Sequence, residues 1–293
     1  MNTIKKYLDI FLELGKVRIT FFVAISTSVG FLLYSGNINV GMILPTLGVF
    51  LLACGSSALN HYQEKDKDAL MDRTKGRPIP SGRISPNGAL VYAFVLIVIS
   101  SLIIFYSANL TALILGWINL IWYNIIYTPL KRINSLAVIP GSIIGALPPV
   151  IGWTAAGGYL YDPKILAVAL FFFIWQIPHF WLLLMIYGKD YEKAGFPTLT
   201  KIFNNRQLSR ITFIWIAALA TSCLLIPLFD VSRNIITTIL IIAFGFILVW
   251  KSKNILTNYI EKIIFRQAFL QINLYVLAIV LILSLDKLLL KEF

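Results

Sequence analysis

Residues Val40–Asp68 read VGMILPTLGVFLLACGSSALNHYQEKDKD, an apolar stretch that turns polar at Asn60 without an intervening turn signal. A helix needs about 20 apolar residues to cross the hydrocarbon core of a bilayer, so Val40–Leu59 predicts a membrane span. If that helix continues past Leu59, Asn60, Glu64 and Asp68 fall at i, i+4 and i+8 and drift only about 40° per step. They would then form one line of oxygen ligands at the membrane surface.

Working outward, runs of the same kind recur at Val17–Tyr34, Leu90–Tyr106, Leu110–Tyr127, Leu136–Ala156, Ile165–Tyr187, Ile211–Phe229, Ile235–Trp250 and Ala268–Leu288. The chain is 58% hydrophobic and only 13% charged, against about 25% charged for a soluble domain. The sequence therefore predicts an all-α, polytopic membrane protein of about nine transmembrane helices, with residues 1–293 forming a single domain. The segment Met1–Gly15 mixes Lys5, Lys6, Asp9 and Glu13 with apolar residues and lacks the ordered pattern of a cleavable signal. It reads as a retained interfacial amphipathic helix. Cys54 and Cys223 both fall in apolar spans and read as small buried hydrophobes rather than as a disulfide or metal motif.

The formal charge of +12 could suggest nucleic acid, but the placement of the 25 Lys and Arg decides against it. All except Lys164, Arg233, Lys287 and Lys291 fall on one side if the spans alternate. The positive-inside rule then puts the N-terminus in the cytoplasm and the C-terminus outside. Polar chemistry is expected on the cytoplasmic face, in two long loops, Asn60–Asn87 and Gly188–Arg210. These follow spans 2 and 6 and hint at a parallel internal repeat.

Three segments carry candidate chemistry. In the first, Asn60–Arg83, four carboxylates lie beside Arg73, Lys75 and Arg77 among six cations. Mg²⁺ is held by one or two carboxylates together with substrate phosphates, and Arg or Lys can take the remaining phosphate oxygens. A solvated loop whose charges merely set topology fits equally well. The second is Trp175-Gln176-Ile177-Pro178-His179-Phe180-Trp181, which places an ionisable His within a span beside a helix-kinking Pro. The bland alternative is a neutral His hydrogen-bonded between helices. In the third, Lys131 and Arg132 follow span 4. They could hold a phosphate or anchor a helix end.

Asn60, Glu64 and Asp68, followed by Met71, Arg73-Thr74, Arg77-Pro78 and Ser81-Gly82, resemble the first aspartate-rich motif of the UbiA-type intramembrane prenyltransferases, NDxxDxxxD. His61 stands where that motif has Asp or Asn, and Glu64 where it has Asp; His61 reads as a bystander on the surface of a helix end. The run Trp175–Trp181, with Tyr187-Gly188-Lys189-Asp190-Tyr191 and Ala194-Gly195, is similar to the haem-prenylating branch of that family. Quinone-forming relatives carry a second DxxxD here, whereas this chain has Asp190 and Ala194, with Glu192 a poorly placed substitute. The block Tyr127–Arg132 with Pro140-Gly141 and Gly145–Trp153 matches as well.

The resemblance implies a helical bundle around a central cavity in a bacterial cytoplasmic membrane, with Mg²⁺ as cofactor. It implies farnesyl diphosphate and haem B as substrates, and contact with haem A synthase or oxidase-assembly proteins. It implies Asn60, Glu64, Asp68 and Asp190 as metal ligands and catalytic residues, and Arg73, Arg77, Lys131, Arg132, His179, Tyr187 and Lys189 as substrate-binding residues. Trp122, Tyr123, Phe180 and Trp181 are candidate walls for an allylic cation. His179 lies about 15 Å of helix below Lys189, which suits the macrocycle better than the diphosphate. The alternatives are a relative acting on an aromatic ring or glycerol lipid, a transporter, whose polar groups would sit nearer the midplane, and a non-catalytic assembly factor.

Overall fold

The computed structural model describes residues 3–232, 234–257 and 261–289. Arg233 and Lys291, which entered the charge argument, lie outside the described residues. A short helix α1 (Thr3–Leu14) precedes α2 (Val17–Ser35), α3 (Ile43–Leu70), α4 (Pro86–Ser107) and α5 (Leu110–Ile121). These are followed by α6 (Ile143–Ala155), α7 (Pro163–Lys193), α8 (Asn205–Ser222), α9 (Ile235–Ser252) and α10 (Lys262–Leu289). With their flanking turns, α2 to α10 give nine helices among the described residues that are long and apolar enough to cross a membrane.

Local chemistry marks where helices begin. Asn109 and Asn234 accept hydrogen bonds from the backbone at the starts of α5 and α9, and Asn204 with Gln207 forms a reciprocal capping box on α8. Ser85 and Asp162 do the same for α4 and α7, each followed by a proline at the first helical position.

The expected loops Asn60–Asn87 and Gly188–Arg210 are shorter than the apolar pattern predicts, because α3 runs on to Leu70 and α7 to Lys193. Hydropathy records where apolar side chains stop. A helix goes on while its backbone bonds are made, and here one face of the polar continuation of α3 is buried against other protein.

Helix α7 is the hub. From Phe171 to Gly188 none of its residues is exposed, and it packs on α6, α8 and α10. Helix α10 also touches α2 and closes the bundle. Peripheral helices expose Phe94, Val98 and Leu102 on α4 and Ile239, Ile242 and Phe246 on α9, as lipid-facing surfaces do. The protein is an integral membrane protein.

Helices α2 and α6 cross with their backbones in contact. A Cβ added at Gly30 would strike the Pro149 carbonyl, and one at Gly152 the Thr27 carbonyl. Close packing through small residues is how membrane helices gain van der Waals contact where no hydrophobic force draws them together. Gly30→Val or Gly152→Val should therefore destabilise the protein by about 3 kcal/mol or more. Gly76→Ala, which meets nothing within 4 Å, should stay within about 0.5 kcal/mol. Thermal unfolding in detergent separates the cases, and equal melting temperatures would rule out the backbone contact.

Candidate active site

The continued turns of α3 place Asn60, Glu64 and Asp68 on its packed face, 1%, 5% and 0% exposed. Expected at the membrane surface, all three are buried instead. Charge in such a position must be paired. Both Asp68 carboxylate oxygens accept from Arg77 Nη1 at 2.8 and 2.7 Å, the turns of residues 71–82 folding back to bring Arg77 in. Glu64 Oε2 accepts from Lys131 Nζ at 2.7 Å, while its Oε1 is buried with no partner. Asn60 donates to Thr128 Oγ1 at 3.1 Å, and its Oδ1 accepts from Lys16 Nζ at 3.4 Å.

Lys16 was not anticipated from the sequence, where it reads as one more basic residue at a span boundary. Helix α1 docks by burying Ile10 and Leu14 against Ala58, Ile79, Ala89 and Ala93, and Glu13 pairs with Arg83 at 2.7 Å. The chain turns into α2 at Lys16 with φ 46°, a left-handed conformation that non-glycine residues rarely hold. That corner sends the ammonium inward. Burial, then repulsion from Arg77 and Lys131, pushes its pKa down to about 7. Three cations crowded around two already paired carboxylates are a site short of negative charge, which a polyanionic ligand would supply.

The opposite wall comes from a π-helical turn, Trp122–Tyr127, that prolongs α5. Single π turns often mark functional sites. This one stacks Tyr123 on Tyr127, with centroids 6.0 Å apart and planes 18° from parallel, and Lys131 Nζ lies 5.4 Å from the Tyr127 ring. Buried Asn124 ties the turn to α3: it accepts from Ser56 Oγ at 2.6 Å and donates to Ser56 O at 3.0 Å and Gln63 Oε1 at 3.1 Å. Neither Asn124 nor Gln63 was singled out from the sequence, although an amide inside an apolar span is a legible signal.

The end of α7 closes over this region. Asp190 Oδ2 accepts from the Arg73 backbone N–H at 3.1 Å, and the Arg73 guanidinium lies 5.4 Å from the Tyr187 ring and 5.9 Å from that of Tyr191. Lys67 donates to Ala194 O at 2.6 Å, and Lys193 pairs with Asp72. Hydrogen bonds from Lys193 and then Lys75 hold the Asp72 carboxyl at about 2. Met71, Ala194 and Phe196 are buried together beneath the two loops.

Other predicted residues stand apart. Arg132 is exposed and donates to Gln63 O at 2.5 Å, on the flank of α3. Lys189 is exposed. Glu192 is committed to Thr198 and Thr200. His61, expected on the surface, is 1% exposed and neither ring nitrogen has a partner; its side of α3 is covered by protein. Trp122 donates to Pro140 O, and Trp181 is buried against Trp215. Phe180 lies against the His179 ring, and His179 Nδ1 is 2.9 Å from Asn273 Oδ1 of α10, the interhelical bond left open by the sequence.

Among the described residues no three His, Cys, Asp or Glu side chains gather closely enough to hold a metal ion alone.

Residues 23–281 match the UbiA prenyltransferase family. The chain belongs to this family. It is similar to a protohaem IX farnesyltransferase of Geobacter sulfurreducens, 40% identical over 218 residues that cover 74% of this chain and 80% of the relative. It is also similar to one of Oleidesulfovibrio alaskensis, 31% identical over 276 residues, 94% of this chain and 95% of the other. Among solved structures, a digeranylgeranylglyceryl phosphate synthase superposes with a TM-score of 0.78 at 17% identity, covering 97% of this chain and 99% of that one. A UbiA homologue from Archaeoglobus fulgidus bound to GPP and Mg²⁺ gives 0.64 at 16% identity, covering 94% and 99%. At such identities the likeness is one of fold.

Membership makes the chain an intramembrane prenyltransferase, and the ion pairs of α3 hold its buried carboxylates. Asp68→Ala strands the Arg77 charge, so it should lower stability by about 3 kcal/mol as well as abolish most turnover. Asp68→Asn should retain more stability yet still lose turnover. Arg132→Ala should keep turnover. Melting curves alongside prenyl-transfer rates test this, and an Asp68→Asn protein as active as wild type would remove Asp68 from the site.

Proposed function

We propose that this prenyltransferase moves a farnesyl group from farnesyl diphosphate to a vinyl group of haem B, giving haem O. The observation that carries the reading is the buried line Asn60, Glu64 and Asp68 ringed by Lys16, Arg77 and Lys131, in a chain whose relatives over most of its length bear the name protohaem IX farnesyltransferase.

Mg²⁺ fits these residues. Its preferred ligands are hard oxygens, and the buried Glu64 Oε1 without a partner is one. Asn60, Glu64, Asp68 and Asp190 would hold the ion together with phosphate oxygens, which agrees with the lack of a ready-made three-carboxylate cage. When bound, Mg²⁺ supplies Lewis-acid neutralisation of the diphosphate.

The chain's own residues do the rest. Lys16, Arg77 and Lys131 stabilise the charge that builds on the diphosphate as the allylic C–O bond ionises, because they are already oriented and largely dry. The π faces of Tyr123 and Tyr127 favour an adjacent allylic cation, and the clasp of Arg73, Tyr187 and Asp190 excludes water that would otherwise capture it. The vinyl carbon of the acceptor forms the new C–C bond to the allylic carbon as diphosphate leaves. Water then adds to the resulting porphyrin-side cation and loses a proton, which leaves a hydroxyethylfarnesyl substituent.

Burial of the site at one end of the spans, with the basic residues, supports a cytoplasmic diphosphate site in a bacterial cytoplasmic membrane, an inside N-terminus and an outside C-terminus. Passing the product to haem A synthase or oxidase-assembly proteins belongs to the same reading.

Purified protein incubated with haem B, farnesyl diphosphate and Mg²⁺ should give a haem product heavier by one farnesyl group and one hydroxyl, and EDTA should stop its formation. Transfer to an aromatic or glycerol-lipid acceptor, with none to haem, would replace this reading. A reporter fused after the last span should report from the outer side; a cytoplasmic signal would reverse the topology.

A further inference from the structure

Asn273 lies in the apolar interior of α10, and its Nδ2 donates to the Phe269 carbonyl at 2.6 Å. A carbonyl oxygen can only accept, so this bond fixes which end of the amide is which. The oxygen Oδ1 is therefore the atom that faces His179 Nδ1 at 2.9 Å. An amide oxygen also only accepts, so Nδ1 must carry the imidazole proton. Nε2 is left with its lone pair.

That second nitrogen has no hydrogen-bond partner among the described residues and is not sealed inside the packing. The ring keeps accessible surface on a stretch of helix, Phe171 to Gly188, in which no residue is exposed. Its surroundings are aromatic, with ring centroids of Trp175, Phe180 and Phe269 at 5.1, 5.3 and 4.7 Å. A basic nitrogen held in one tautomer by a neighbouring acceptor, among aromatic rings, is how proteins prepare imidazole for a metal.

The position along the helix agrees. Asp190, part of the clasp over the diphosphate site, is eleven residues after His179, three turns plus about 20°, so both stand on one face of α7 about 16 Å apart. An acceptor lodged against His179 extends toward the diphosphate end of the same face.

We propose that His179 Nε2 is an axial ligand to the iron of the haem acceptor, and that Asn273 is the positioning residue that sets its tautomer. This rests on haem being the acceptor. Coordination would seat the flat macrocycle across α7 and leave its edge free for prenylation.

The test compares haem B with iron-free protoporphyrin IX as ligands of the purified full chain, because only an iron ligand distinguishes them. Wild type should bind haem B at least about tenfold more tightly, with a nitrogen-ligated visible spectrum. His179→Ala should bind the two equally, and added imidazole should restore the spectrum. Asn273→Leu should lower the iron preference about tenfold, as loss of a partner behind a metal ligand commonly does, while Asn273→Asp, which still accepts from Nδ1, should retain it. Affinity for farnesyl diphosphate serves as the fold control and should not change in any variant. If His179→Ala keeps the iron preference and spectrum while haem is still farnesylated, His179 is not the ligand. If wild type neither binds nor farnesylates haem, the haem reading itself fails and this inference falls with it.

Discussion

Two carboxylates buried on one face of α3 are the constraint on which the site depends. A charge moved out of water costs several kcal/mol unless a partner follows it, and Glu64 and Asp68 take theirs from outside their own helix. Lys131 reaches Glu64 from beyond the π-helical turn after α5, and Arg77 reaches Asp68 from the fold-back that follows α3. Each ion pair therefore fastens a separate segment to α3. Under the proposed function the same cations would bind the diphosphate, so a substrate would rearrange the contacts that hold the resting protein together.

The membrane limits how such segments can be built. Backbone groups within hydrocarbon must find partners inside the protein, so irregular backbone is tolerated only where it is covered or lines a cavity. The departures from regular α-helix obey this. The π turn Trp122–Tyr127 is pinned by Asn124 to Ser56 and Gln63. The proline-bearing α6 presses its Pro149 carbonyl against Gly30 of α2. Helix α7, with no exposed residue from Phe171 to Gly188, then runs from the loops into the bundle, with Asp190 and Tyr187 under the loops and His179 tied deeper to α10.

How far the sequence could be read follows from the physics of each feature. Nine spans and the all-α class were legible because hydrocarbon thickness sets a length that apolar runs must meet, and the line Asn60, Glu64, Asp68 was legible because helical periodicity is local. Their burial was not, since a polar continuation looks the same whether water or protein covers it. His61 was misplaced for that reason, and Arg132 and Lys189 could not be told from Lys131 and Lys16, because a cation's target lies on another helix. The tautomer of His179 depends on Asn273, 94 residues away.

The sequence by itself thus determined what is periodic or additive along the chain: membrane insertion, helix count and the family motifs. Tertiary structure alone decided which cations turn inward, which carboxylate oxygen lacks a partner and which imidazole nitrogen keeps its lone pair. Each of these is settled by a contact between segments distant in sequence, and no local pattern of residues encodes such a contact.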